Sequence, residues 1–274
     1  MTQAGSDRDL WEELAARWDR RRDLLWGSTR QVSEWLVDRL DPLPGQTILE
    51  LSAGTGETGF LAAARLGQTG RLISSDRSPT MVEAARRAAE GLGLTNVELR
   101  VLDAERIDLP DASVDGVLSR FGYLLKGDPP RALHEARRVL RPGGRLAFSV
   151  WAARERNAWM TVPADVMVEL GHMQPPEPGP GDPLEGRSPE RIAEALGGAG
   201  FREWEIEELP AAYRFTDADE LWTFVSELRG RVALAIEQLT PEQRAEVRRA
   251  VEQRSRTEGE GFELGGISLN VVAS

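Results

Sequence analysis

Apolar positions along this chain keep two rhythms. Leu10, Trp11, Leu14 and Trp18, and later Leu36, Val37 and Leu40, recur at three- and four-residue intervals, the spacing of helices with one buried face. "PLPG" (42–45) then stops the pattern. Short, nearly continuous apolar runs follow: "TILELS", "RLISSD" (71–76), "VELRVLD" (97–103), "VDGVLS" (114–119) and "RLAFSVW" (145–151). Each has the length and character of a strand buried on both faces. Between them lie helical patterns. One surrounds "FLAAARL". A second, "SPTMVEAARRAAEGLG", has Ser78 as N-cap, Pro79 at its first position and Gly93 at its end, with Met81, Val82, Ala85, Ala88, Ala89 and Leu92 on its apolar face. A third, "PPRALHEARRVLRPGG", turns Leu133, Ala136, Val139 and Leu140 inward and closes on a proline and two glycines.

Strands alternating with helices predict an α/β fold, a parallel sheet covered on both faces. Right-handed crossovers then bring the strand C-termini to one edge. The chain divides into an N-terminal helical segment (1–45), a core (46–151), an insertion with the Pro/Gly-rich loop "MQPPEPGPGDPLEGR" (152–187), and a part that completes the core (188–274). That last part begins with the Ser-Pro-capped helix "SPERIAEALGGAGF" and the strand "REWEIEEL", and ends on the strand "GISLNVVAS". Between those strands, residues 216–258 form a helical cap with two capping patterns, "TDAD" and "TPEQ".

Candidate chemistry falls on the predicted edge. "ILELSAGTGETGF" (48–60) contains GxGxxG through Gly54, Gly56 and Gly59, a tight strand-to-helix turn that lets backbone approach a dinucleotide or another adenosine-bearing cofactor. Asp76 ends the second strand, 20 residues past Gly56; Asp103 ends the third and Ser119 the fourth. Ligands of open α/β sheets bind in the crevice outside such ends, so residues scattered in sequence converge there.

Charge and composition narrow the partners. Lys and Arg total 34 against 45 Asp and Glu, a formal charge of -11 that opposes binding to nucleic acid. The basic runs "RWDRRR" and "RAEVRRAVEQRSR" carry acidic residues within or beside them and read as solvated helix faces. Cys is absent, and with two His the chain offers no His/Cys metal site. No stretch has the roughly 18 apolar residues of a membrane span, and the first residues lack a signal-peptide core, which together predict a cytoplasmic protein.

"ILELSAGTGETG", "LISSDRSPTMVEAAR", "VLDAERIDLPDASVDGVLSRFG" and "ARRVLRPGGRLAFSVW" resemble class I S-adenosylmethionine-dependent methyltransferases, in particular the ubiquinone/menaquinone C-methyltransferases and related small-molecule enzymes. The resemblance covers roughly residues 46–151 and implies a Rossmann-like sheet that binds S-adenosyl-L-methionine and leaves S-adenosyl-L-homocysteine as product. It implies that Glu50 fixes the methionine end or the loop holding it, and that Ser52, Gly54 and Gly56 line methionine and ribose through backbone groups. Ser52 stands where the family carries Cys, Gly or Ala, and keeps the position small. Asp76 is implied to take the ribose hydroxyls, Arg77 and Met81 to flank the adenine, Asp103 with the Ala104 backbone to read its edge, and Ser119 to lie beside the methionine.

Resemblance also implies methyl transfer to oxygen or carbon of a small, largely apolar or aromatic acceptor such as a phenol, quinone or polyketide. Trp151, Asn157, Trp159 and Trp222 are the candidate pocket residues, the alternative for the tryptophans being to dock the cap on the sheet. His172 and Tyr123 are the candidate bases, while His134 reads as a solvated helix residue. Three other readings stay open: an NAD(P)-binding oxidoreductase, for which Asp76 and the glycines would serve but which finds no Tyr-x-x-x-Lys pair here; a cofactor-binding protein without transfer activity; and a protein or RNA methyltransferase.

Overall fold

The computed structural model describes residues 22–122, 128–175, 188–228 and 230–274. Helix α1 (Arg22–Leu40) precedes the first three strand–helix units: β1 (Thr47–Glu50) with α2 (Glu57–Leu66), β2 (Arg71–Asp76) with α3 (Pro79–Gly91), then β3 (Val97–Val101). Strand β4 (Val114–Arg120), α4 (Pro129–Val139) and β5 (Leu140–Trp151) complete the regular part. After β5 come α5 (Ala158–Glu169), α6 (Pro189–Gly198), β6 (Trp204–Pro210) and a short strand β7 (Tyr213–Phe215). A cap follows, with α7 (Ala218–Thr223), a π turn (Phe224–Leu228), α8 (Arg231–Glu237) and α9 (Pro241–Ser255). Strands β8 (Phe262–Leu264) and β9 (Ile267–Ala273) lie beyond it.

The main sheet has the order β3-β2-β1-β4-β5-β9-β6, with β7 and β8 paired as a separate antiparallel ribbon. β1 to β5 are parallel neighbours. The chain winds outward from β1 to β3, then crosses to start again at β4 on β1's other side. That reversal opens a crevice at the C-terminal ends of β1 and β4, and it positions everything described below. The expected parallel arrangement holds from β1 to β5, whereas β9 runs antiparallel between β5 and β6. It enters from the cap, at the sheet's C-terminal edge, and can only run back.

Two apolar layers cover the sheet. Val32, Leu36 and Leu40 of α1, Leu66 of α2 and Ala85 of α3 share one core with Val247 and Val251 of α9. Leu133, Ala136 and Val139 of α4 and Leu196 of α6 pack the opposite face with Leu49, Phe148 and Val271. Each fully buried Leu, Ile or Phe contributes about 1.5–3 kcal/mol over leaving it exposed.

The expected caps form. The Ser78 hydroxyl accepts from the Met81 N–H at 3.1 Å, and Thr240 makes a full capping box with Gln243. Leu92 departs from its predicted place on the buried face, being 62% exposed, because α3 has already ended and Gly93 turns left-handed (φ 67°). α4 stops at Val139 rather than running into "RPGG". β5 begins there, and its register against β4 shifts between Val114 and Gly116, so the extra residues loop out within the strand. The cap carries a π turn and a further short helix between its two capped helices, and the ribbon β7–β8 lacks the length that makes a strand visible in a pattern.

Asn157 locks the junction of β5, α5 and β9 and is fully buried. Its amide nitrogen donates to the carbonyls of Ala152 (2.9 Å) and Ala153 (3.0 Å), while its oxygen accepts from the Ile267 N–H and the Trp159 indole, each at 3.2 Å. Replacing it with Ala strands buried backbone groups, at about 1–3 kcal/mol for each one left bare. Asn157→Ala is therefore expected to lose at least ~2 kcal/mol in urea unfolding, against less than half that for the exposed His134→Ala.

Candidate active site

Everything at the crevice starts from Glu50, the last residue of β1. Its side chain points into the α2 side of the sheet, 1% exposed. One carboxyl oxygen accepts the Gly59 N–H at 2.7 Å and the other the Ser74 hydroxyl at 2.8 Å. Gly59 is obligatory here, since a Cβ would sit 2.1 Å from the Glu50 carboxyl and 2.9 Å from Leu72. Burial pushes the Glu50 carboxyl up to about 8, against the lowering effect of its bonds to Ser74 and Gly59; Glu57 adds to the rise and Arg120 opposes it. Its role is to hold the first turn of α2 on β1 and β2.

The glycine turn springs from that anchor. Ser52 takes a left-handed φ of 53°, and Gly54 (58°) and Gly56 (90°) follow it in the same region, which suits glycine. A Cβ at Gly56 would strike Phe60 at 2.4 Å, whereas one at Gly54 would meet nothing within 4 Å, because that side faces the crevice. Asp76, at the end of β2, closes the turn from beside: its carboxylate accepts the Gly54 N–H at 3.0 Å and the Ser78 N–H at 2.9 Å. The Leu102 N–H donates to the Asp76 carbonyl at 3.0 Å, which draws Asp103 and Ala104 to the same edge. Asp103 is exposed there, accepting the Glu105 N–H at 2.9 Å. Arg77 is exposed, and Met81 is buried in the first turn of α3.

On the far side of the crevice stands the end of β4. Ser119 is fully buried, and its hydroxyl has no hydrogen-bond partner among the described residues. Phe121 adopts a left-handed φ of 59°, uncommon for an aromatic residue, and Gly122 beyond it fits closely on Ser52, where a Cβ would meet the Ser52 Cβ at 2.2 Å. Phe121 stacks flat on Trp151 of β5, centroids 4.1 Å apart and planes 5° apart. From Trp151 a seam of rings continues through Trp159 (4.7 Å), Tyr213 (5.5 Å from Trp159), Phe224 (4.6 Å) and Phe215 (5.3 Å), crossing from sheet to ribbon and cap.

The structure thus brings Glu50, Ser52, Gly54, Gly56, Asp76, Asp103, Ala104 and Ser119 to one edge. The remaining candidates have other partners. The polar atoms of Asn157 are engaged in the junction described above. Trp151 and Trp159 are ring partners in the docking seam, and Trp222 packs half-buried on the cap side of the core. His172 lies beyond α5, one twelve-residue helix or about 18 Å of axis from Asn157. Its Nε2 is buried and has no hydrogen-bond partner among the described residues. Tyr123, like most of the Pro/Gly-rich loop and the first 21 residues, lies outside the described residues. His134 is exposed on α4, as its position off the apolar face predicts. Arg120 and Phe121 escaped the sequence reading, although "SRFG" immediately follows a buried strand on the ligand-bearing edge.

A family model described as "Methyltransferase domain" matches residues 48–144. A ubiquinone/menaquinone biosynthesis C-methyltransferase, UbiE, of Acidiphilium cryptum is 36% identical over 141 residues, which span 51% of this chain and 56% of the relative. Aklanonic acid methyltransferase DauC of Streptomyces sp. is 36% identical over 114 residues, 42% of this chain and 52% of that one. The chain thus spans about half the length of these curated relatives. A crystal structure of an S-adenosylmethionine-dependent methyltransferase from Aquifex aeolicus superposes with a TM-score of 0.51 at 18% identity, covering 88% of this chain and 92% of the other, which speaks for the fold.

Fold, edge and family match together mark residues 48–144 as similar to a methyltransferase domain set on an α/β sheet. The same matches favour S-adenosylmethionine over a nicotinamide cofactor. The crevice suits the cofactor: an orphaned buried hydroxyl at Ser119, an unobstructed side at Gly54, and a carboxylate at Asp76 already facing the turn.

The buried Glu50 carboxyl has a consequence for pH. Its folded value, about 8, lies above the ordinary 4.5, so the folded state keeps a proton that the unfolded state releases. Stability from this group is full below about 4.5 and is lost as pH rises through about 8, on the order of 1 kcal/mol per pH unit between. Glu50→Gln, uncharged at every pH, should remove this decline, so that urea unfolding at pH 5.5 and 8 separates the two proteins progressively as pH rises.

Proposed function

We propose that this chain transfers the methyl group of S-adenosylmethionine to oxygen or carbon of a small, largely apolar or aromatic metabolite of the phenol, quinone or polyketide type. One observation carries the reading: the Asp76 carboxylate is bonded to the Gly54 amide across the β1–β2 edge, with the unpartnered Ser119 hydroxyl at the end of β4. The names of the two relatives, a quinone C-methyltransferase and an aklanonic acid methyltransferase, support a small-molecule acceptor, and the charge of -11 argues against nucleic acid.

When bound, the cofactor supplies an electrophilic methyl group on a sulfonium. The chain's own residues then do the binding and aligning. Asp76 would accept hydrogen bonds from the ribose hydroxyls, while Ser52, Gly54 and Gly56 would present backbone to ribose and methionine. Arg77 and Met81 would flank the adenine, Asp103 and the Ala104 backbone would read its edge, and Ser119 would meet the methionine part. Phe121, stacked on Trp151, walls the acceptor side with an apolar surface that excludes water. Charge is neutralised in this displacement, so alignment and desolvation supply most of the acceleration.

Asp76→Ala is expected to weaken S-adenosylmethionine binding by roughly 1–3 kcal/mol, through loss of charged hydrogen bonds, in isothermal titration. Unchanged affinity would remove Asp76 from the site. Incubation with cofactor labelled in its methyl group and pools of phenols, quinones, protein and RNA should place label in the small-molecule pools. Label confined to protein or RNA would refute the acceptor class.

A further inference from the structure

Arg120 closes β4 and projects to the same side of the sheet as Glu50. The β1–β4 register pairs Glu50 with Leu118; carried two residues further, it sets Arg120 beside Ser52, where the glycine turn begins. The side chain is half-buried. One guanidinium N–H donates to the hydroxyl of the buried Thr29 on α1, and the group lies 6.0 Å from the Trp26 ring centroid and 5.8 Å from that of Phe121. A guanidinium has five N–H donors, and that bond is the only side-chain hydrogen bond Arg120 makes among the described residues. None of their carboxylates forms an ion pair with it. Of the acidic groups on its side of the sheet, Glu50 is bonded to Gly59 and Ser74 and pushed toward its protonated form by burial, and Glu57 is paired with Arg22. Elsewhere in the same layer arginines are paired, as Arg22 is with Glu57 at 3.2 Å and Arg39 with Glu205 at 3.0 Å.

Taking a cation partly out of water without a counter-charge costs free energy that two ring faces offset in part. An anion arriving with a ligand would offset the rest, and a planar fork of donors matches a carboxylate best. We infer that Arg120 is the receptor for an anionic oxygen, a carboxylate in the first instance, carried by a ligand in the crevice. The inference rests on the methyl-transfer reading above. Two ligands could present that group: the cofactor, through its amino-acid carboxylate, or an acidic acceptor. The bland alternative is a clamp that only holds α1 through Thr29 and Trp26.

Titration of the wild-type protein, Arg120→Met and Arg120→Lys with S-adenosylmethionine and with its decarboxylated analogue separates these cases. If the cofactor is the source, the wild type prefers the intact cofactor by roughly tenfold or more; R120M loses the preference and R120K keeps part of it. If the acceptor is the source, that ratio is the same in R120M, and transfer of labelled methyl to hydroxybenzoic acids shows a KM raised tenfold or more relative to their methyl esters. Equal weakening of both cofactor forms in R120M, without a change in the acid-to-ester ratio, makes Arg120 a clamp and overturns the inference. So does a wild-type protein with no preference in either arm, absence of transfer to any acid included, and this comparison stands even if R120M fails to fold. A wild-type protein that binds neither S-adenosylmethionine nor S-adenosylhomocysteine would instead bring down the methyl-transfer reading, and this inference with it.

Discussion

Placing a carboxyl group inside the sheet layer, as Glu50 is placed, is costly unless it keeps its proton or finds donors, and here it does both. The return is positional. Its two oxygens join an amide in the first turn of α2 to a hydroxyl on β2, so three elements that meet only at this corner hold one geometry. The Ser75 hydroxyl adds a bond to the Glu50 carbonyl at 2.7 Å, and the Ala53 N–H donates to the Ser75 carbonyl at 2.9 Å. The left-handed residues Ser52, Gly54 and Gly56 are tolerated because this network fixes the segment that holds them. Asp76 can then face the Gly54 amide, and the crevice keeps its shape before any ligand enters.

Across the crevice the organising force is of another kind. Rings from the sheet, α5, the ribbon and the cap lie stacked or tilted against one another, from Phe121 to Phe215, and aromatic pairs add about 0.5–1.5 kcal/mol each beyond the area they bury. The seam starts on the wall of the site and ends in the cap. Polar anchoring thus sets the cofactor half of the crevice, and aromatic packing ties the other half to the elements that cover it.

The regular part of the fold was legible because its signals are local. Ser78, Pro79 and Gly93 mark one helix from end to end, and continuous apolar runs such as "TILELS" have few other uses. The convergence of Gly54, Asp76, Asp103 and Ser119 followed from topology alone. What escaped the sequence depends on partners far along the chain. The reversed direction of β9 comes from where the cap ends, not from its composition. Asn157 looked like a ligand-facing amide because nothing local shows that Ile267, 110 residues on, needs its oxygen. Arg120 and Phe121 lacked any periodic mark, and only the left-handed turn after β4 sets them on the crevice wall.

The interposed strand β9 also bears on how the molecule is made. Its partners, β5 and β6, are separated from it by more than a hundred and by about sixty residues of chain, and neither touches the other without it. Until it inserts, both present bare hydrogen-bonding edges, the surfaces through which nascent proteins associate wrongly. Pairings this distant form late, because loop closure comes first and reward second. The half of the sheet that carries the cofactor edge can therefore assemble early, while its other half waits, open-sided, for one seven-residue segment to arrive.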